Sequence, residues 1–274
     1  MKRVFLAVMA LLMAVSMAAC GKKTAGITEA SVEALKGKRV VAEQESAGEE
    51  VVTTDGIFKD AEYTAVESQA KALMEVEAGT ADAAVIDYVM LIGSIGEGTD
   101  YADLKLLKDA EFAPEEYGIA FRKGSDMAYV VNQAIAELKQ EGKLQEIAQK
   151  YKLEELVTAD ASFDEIAEKD SDWAYIKQKG ELVIGITLFQ PMNYFDDAGE
   201  LTGFETEFAK AVCEKLGVKA VFQEISWNAK ETELQAKNID CIWNGLTITE
   251  ERAAAMSITI PYMRNKQVLV VKGK

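Results

Sequence analysis

The sequence predicts an α/β protein in which strands and helices alternate in two similar units. Three observations carry this. Short, largely apolar runs such as 83–86, which is wholly apolar, and 239–243 read as buried strands. Helical stripes with glycine stops lie between such runs. Each unit ends in an apolar run that delivers polar residues at its tip, Asp87 in the first and Asn244, Gly245 and Thr247 in the second. Open α/β sheets bind ligands outside their strand tips, so the pattern predicts a cleft.

In the first unit, 39–42 and 62–66 read as strands. Ser68 is the expected cap of a helix reaching Glu77, with Ala72, Leu73 and Val76 on one stripe and Gly79 beyond its end. Residues 83–86 and 104–107 give two further strands. Helices over 126–139 and 142–151 follow, and then an acidic strap, 154–178, in which Ser162 to Glu165 resembles a capping box. The second unit repeats the rhythm. Residues 181–186 are a strand, and 204–216 a helix with Phe204, Phe208, Val212 and Leu216 inward and Gly217 as its stop. A strand at 218–222, a helix over 228–237 and a strand at 239–243 complete it.

Composition excludes several functions. The 274 residues carry a formal net charge of −16, which repels nucleic-acid backbones. With no histidine, neither a His-type zinc site nor a Ser-His-Asp triad is possible. No metal or cofactor is expected. The amino end reads as a leader over 1–20. Lys2 and Arg3 precede an apolar stretch, 4–15, too short to span a bilayer. Residues Met17-Ala18-Ala19-Cys20 resemble a lipobox, which implies acylation of Cys20 and attachment to the outer face of a membrane. Cys213 and Cys241 remain. A helix and a buried strand are expected to hold them as free thiols rather than as a bridge.

Several segments together resemble the extracytoplasmic binding proteins of polar-amino-acid ABC importers (family 3 type). Residues 179–185 are similar to that family's first strand, and 199–205 to its hairpin before the first helix. The run Thr247-Ile248-Thr249-Glu250-Glu251-Arg252, with Pro261-Tyr262, follows at the family's spacing. Leu35-Lys36-Gly37-Lys38 resembles the opening of the second lobe, and 117–121 the return crossing. The family writes these blocks in another order. The resemblance therefore implies a two-lobed, periplasmic-binding-protein-like (type II) fold that is circularly permuted, with a ligand cleft between the lobes. Lobe two would comprise 21–113 with 267–274 as its last strand. Lobe one would comprise 118–262, including the strap that fuses the family's usual ends. Hinges are expected at about 113–117 and 262–266. A swapped dimer is the alternative, and the strap's length favours a monomer.

The resemblance also implies roles. Arg252 takes the ligand α-carboxylate through its two-pronged guanidinium. Its alternative is a surface arginine in the first turn of a helix capped by Thr249. Asp87 takes the α-ammonium, or caps the helix that follows. Asn244, Gly245 and Thr247 form a loop around the ligand's two ends, and Ser46 and Ala47 clamp its carboxylate. Glu45 stands where the family has glycine, and is expected to point away. Phe189 and Trp227 match two aromatic walls, with core packing as the alternative. Glu43 lies where the family contacts the ligand side chain, which with the aromatics implies a polar or cationic ligand. The expected function is capture of an amino acid and its delivery to the transmembrane subunits of an ABC permease. The alternatives are a dehydratase acting on a cyclic acid, with Glu43 or Glu45 as acid, and a sensor with a separate signalling partner.

Overall fold

The computed structural model of the chain describes residues 35–159, 162–163 and 172–273. The expected leader, Cys20 and the middle of the strap, with Glu165 of its capping box, lie outside the described residues.

Strand β1 (Arg39–Glu43) leads to α1 (Ala47–Thr54), whose first turn is capped by the Ser46 hydroxyl accepting from the Glu49 amide. Strand β2 (Glu62–Val66) lies parallel to β1. Ser68 caps α2 (Gln69–Ala78) by accepting from the Lys71 amide, and Gly79 ends it. Strand β3 (Ala83–Asp87) is buried at every position and runs straight into α3 (Tyr88–Ser94). Strand β4 (Leu104–Arg122) is followed by α4 (Met127–Gln140), α5 (Lys143–Lys150) and α6 (Asp172–Lys179). Strand β5 (Glu181–Ile186) precedes a small hairpin of β6 (Tyr194–Phe195) and β7 (Leu201–Thr202). Helix α7 (Phe204–Leu216) stops at Gly217, as its stripe predicts. Then come β8 (Lys219–Glu224), a 3-10 turn (Trp227–Ala229), α8 (Lys230–Gln235) and β9 (Cys241–Thr247). Helix α9 (Glu250–Ala255), β10 (Met256–Ile258) and β11 (Met263–Lys272) complete the chain.

One sheet contains all these strands except β6 and β7, in the order β2-β1-β3-β11-β4-β9-β5-β8, with β10 on β4. Its two ends are parallel, as alternating strands and helices require. Its middle is antiparallel, because β11 pairs with both β3 and β4, and β4 pairs with β9.

Three expectations are corrected here. The expected strand at 104–107 and the return crossing at 117–121 are one strand of 19 residues. Proline has no N–H to donate and usually interrupts a strand ladder. However, Pro114 pairs with Lys266 and Glu115 with Asn265, and the ladder continues past them with register shifts. The helix expected over 228–237 is a 3-10 turn followed by the six residues of α8. Asn244, Gly245 and Thr247 lie within β9 rather than in a loop, where a register shift against β4 makes room for the positive φ of Gly245, 58°.

The strap's described helix is fixed at several points. The Trp173 amide donates to Asp126 at 2.9 Å, and Arg122 meets Asp172 at 3.2 Å. Lys179 reaches Asp240 at 2.6 Å, and that carboxylate also accepts from the Val183 amide. Beneath the cleft end of β9, Phe208 packs edge-on to Trp243 with ring centres 5.1 Å apart and lies 5.6 Å from Tyr262. Cys213 and Cys241 are both free and buried.

Candidate functional site

All ten sequence-predicted contact residues line one recess of about 380 Å3, its open mouth included: Glu43, Ser46, Ala47, Asp87, Phe189, Trp227, Asn244, Gly245, Thr247 and Arg252. Gln69, Thr187 and Leu188 complete the lining. They carry no sequence signal of their own beyond positions beside Ser68 and Phe189.

Arg252 sits in the first turn of α9, whose cap is Thr249. A cation is unfavourable beside the positive end of a helix unless anions or carbonyls face it. Its Nη1 donates to the Thr247 carbonyl at 2.9 Å and its Nη2 to the Glu45 carbonyl at 3.2 Å. Arg252 is the one Lys or Arg among the described residues that line the recess. Opposite stands the start of α1. The Ser46 oxygen accepts from Glu49, so its proton remains free to donate. With Ala47 at the helix N-terminus, this is an arrangement suited to a carboxylate.

Asp87 ends β3 and makes no cap hydrogen bond to α3, so the expected capping alternative does not hold. Its carboxylate turns the other way and accepts from the side-chain amides of Gln69, Asn265 and Gln267, the last at 2.5 Å. Burial pushes its carboxyl above the usual range. Glu115 shares two of those donors, with Gln267 at 2.7 Å and Asn265 at 3.2 Å, and also accepts from Thr247. Burial and the Asp87 charge push Glu115 up to about 7. Glu43, 5 % exposed, has one carboxylate oxygen with no partner. Burial, then the Asp87 charge, pushes it up to about 8. Buried carboxyls gathered at the end of β3 are an electrostatic vacancy for a positive group.

Two expected contacts are narrowed. The Asn244 side chain is engaged with Thr187, accepting from its hydroxyl at 2.6 Å and donating to its carbonyl at 3.0 Å. The Gly245 amide donates to Glu205 at 2.8 Å and is therefore not free for a ligand. A Cβ on Gly245 would lie 2.8 Å from the Phe189 ring, so only glycine fits there. Trp227 is buried among apolar side chains and also lines the recess, so packing and contact coincide. The Lys230 ammonium lies 4.8 Å from its ring centre on α8, a neighbour that sequence reasoning missed. Glu45 takes a φ of 56°, the conformation that favours glycine. Its side chain turns outward, its carboxylate 3.7 Å from Lys230.

The two sides of the recess touch. Besides Arg252, Lys230 donates to the Glu45 carbonyl at 3.4 Å, and Asn228 to Gln44 at 3.3 Å. On the other flank Gln190 donates to the Gly93 carbonyl at 3.3 Å, and Pro191 packs where a Gly93 side chain would stand. Outside lies a wider depression that shares Ser46 and Arg252 and is lined by Glu49, Glu50, Glu231 and Glu251.

The buried carboxyls set an expected pH response. Glu43, Glu115 and Glu205 are raised in the fold above their ordinary value of 4.5, so the folded protein holds protons that the unfolded chain releases. Their contribution is fully present below 4.5 and is lost as pH rises through 7 to 8. The ligand-free protein should therefore melt higher at about pH 5.5 than at about pH 8. Calorimetric melting across that range checks this, and a flat or rising profile contradicts it.

The model for bacterial extracellular solute-binding proteins, family 3, matches residues 182–274. The L-cystine-binding protein TcyJ of Escherichia coli is 36% identical over 100 residues, 36% of this chain and 38% of the relative. The L-cystine-binding protein TcyA of Bacillus subtilis is 34% identical over 107 residues, 38% and 40% of the two. The chain thus spans about two fifths of the length of these curated relatives. A histidine-bound substrate-binding protein of an ABC uptake transporter from Streptococcus pneumoniae shares 36% identity over 31% of this chain and 35% of its own, at a TM-score of 0.30. From β5 through Arg252 to the last strand, residues 182–274 are thus similar to the bacterial extracellular solute-binding proteins, family 3.

Proposed function

We propose that the chain is an extracytoplasmic binding protein that captures an amino acid, polar or cationic in its side chain, and delivers it to an ABC permease. The carrying observation is the polarity of the recess. Its lining combines the Arg252 cation, the Ser46 hydroxyl and the start of α1 with the carboxyl groups of Asp87 and Glu43. An α-amino acid carries a carboxylate for the first set and an ammonium for the second. Its side chain would lie between Phe189 and Trp227 toward the unpartnered oxygen of Glu43. The acidic depression outside favours cationic side chains. The relatives named above bind cystine, and their names describe binding proteins rather than enzymes.

In this reading the chain is a circular permutation, lipid-anchored at Cys20. The family match runs from β5 to the end of the chain, while β1 to β3, from its beginning, supply the other side of the recess. Lobe two would be 21–113 with 267–274, and lobe one 118–262. The long strands β4 and β11, which carry both expected hinges, would be the crossings. Closure would bring Arg252 and Asp87 onto one ligand, which favours the closed state by the contacts made only there. The cross-recess contacts of Glu45 and Gly93 fit that state.

The test is a thermal-shift screen of the protein from Gly21 onward against the protein amino acids and L-cystine, followed by titration calorimetry. One α-amino acid should bind without turnover, with L-arginine and L-cystine the first to try. Binding by none of them would overturn the reading.

A further inference from the structure

Glu205 is 1 % exposed at the start of α7, does not line the recess, and is accounted for by none of the ligand contacts above. Its carboxylate gathers three donors from three separate segments. Oε1 accepts from the Gly245 amide at 2.8 Å and from the Tyr262 hydroxyl. Oε2 accepts from the Asn193 side chain at 2.8 Å, and Asn193 accepts in turn from Thr206 at 2.9 Å. The Glu205 amide donates to the Met192 carbonyl at 3.0 Å, so helix and loop are locked as one piece. Residues 187–193, which carry Phe189, and residues 244–247 are thereby tied to one carboxylate. So is Tyr262, immediately before β11.

We propose that Glu205 is the positioning residue of the recess, holding the Asn244–Gly245 peptide in place and, with it, the segments 187–193 and 244–247 that line the site. The chemistry follows from the peptide's geometry. The Gly245 N–H shares one rigid trans plane with the Asn244 carbonyl, so anchoring the amide at Glu205 fixes the whole Asn244–Gly245 peptide and turns the Asn244 carbonyl away from the carboxylate. Glycine at φ 58° has an open alternative in which the peptide turns over, and packing by a side chain does not prevent it, since there is none. A carboxylate accepting a backbone N–H is a strong restraint, and no neutral side chain of similar size reproduces it with all three donors satisfied. Glutamine in its place would keep one acceptor oxygen for Gly245 and Tyr262 but would set an amide donor against that of Asn193.

This inference rests on the amino-acid-binding reading, and the experiment separates the two. Titration calorimetry with L-arginine and L-cystine, beside the 1H–15N resonance of the Gly245 amide, would be run on the wild type, Glu205→Gln, Glu205→Ala and Tyr262→Phe. Expected is a Kd about tenfold weaker for Glu205→Gln, with an upfield move of the Gly245 amide, and about a hundredfold weaker for Glu205→Ala. Should Glu205→Ala fail to fold, Glu205→Gln decides. Tyr262→Phe removes a donor from the same oxygen and a hydroxyl that the Gly245 amide also meets, but leaves the carboxylate in place, and should weaken binding less than Glu205→Gln does. A merely structural Glu205 would lower Tm while leaving Kd and the Gly245 resonance in place in Glu205→Gln, and that result overturns the proposal. No binding by the wild type overturns the underlying reading instead, and this inference with it.

Discussion

Arg252→Ala should weaken amino-acid binding about a thousandfold, the cost of leaving a desolvated ligand carboxylate without its charged partner. The guanidinium is fixed by two carbonyls, those of Thr247 and Glu45, and spends neither bond on a carboxylate. In the ligand-free protein its removal loses two neutral-acceptor hydrogen bonds near the recess mouth. Unfolding of the empty protein should therefore change by about 1 kcal/mol or less, because water reaches both carbonyls once the side chain is gone. Calorimetric Kd and melting of the empty variant check both halves. A variant that fails to fold would make Arg252 structural. A variant that binds normally would remove it from the site.

Asp87→Asn should weaken binding about a hundredfold, through loss of the ionic partner for the ligand ammonium. The substitution keeps volume and removes one buried charge. Three side-chain amides donate to this carboxylate, and asparagine offers them one oxygen fewer. The Asp87 charge is also the second cause that raises both Glu43 and Glu115. The variant's stability should accordingly vary less between pH 5 and 8 than the wild type's, because those carboxyls ionise at lower pH. Melting curves over that range, with calorimetry at neutral pH, read the two effects separately. Unchanged affinity would place the ammonium elsewhere.

Local patterns made most of the elements legible. Helix α7 falls at 204–216 as its stripe of Phe204, Phe208 and Val212 requires, and Ser68 and Gly79 bound α2 because caps act through neighbours in sequence. The ten recess residues were legible through their family spacing, and they do meet in one place. Gln69 and Lys230 were not. Gln69 matters because it faces Asp87 eighteen residues away, and Lys230 because α8 lays it over Trp227. Neither contact leaves a trace in spacing along the chain.

The sequence by itself determined the α/β class, the caps, the charges and the identity of the polar residues at the strand tips. These depend on period, composition and contacts a few residues apart. Only the tertiary structure decided how they are used. Pairing of β4 with β11 ran two separately expected segments into one continuous strand and joined two expected units in a single sheet. Capture of the Gly245 amide by Glu205 took that donor out of reach of a ligand. The Asp87 carboxylate turned from capping α3 to the amides of β11, and the carboxyls around it came to share one buried space. Each of these outcomes is set by long-range hydrogen bonds and desolvation, which depend on which distant residues meet and not on the order in which the chain presents them.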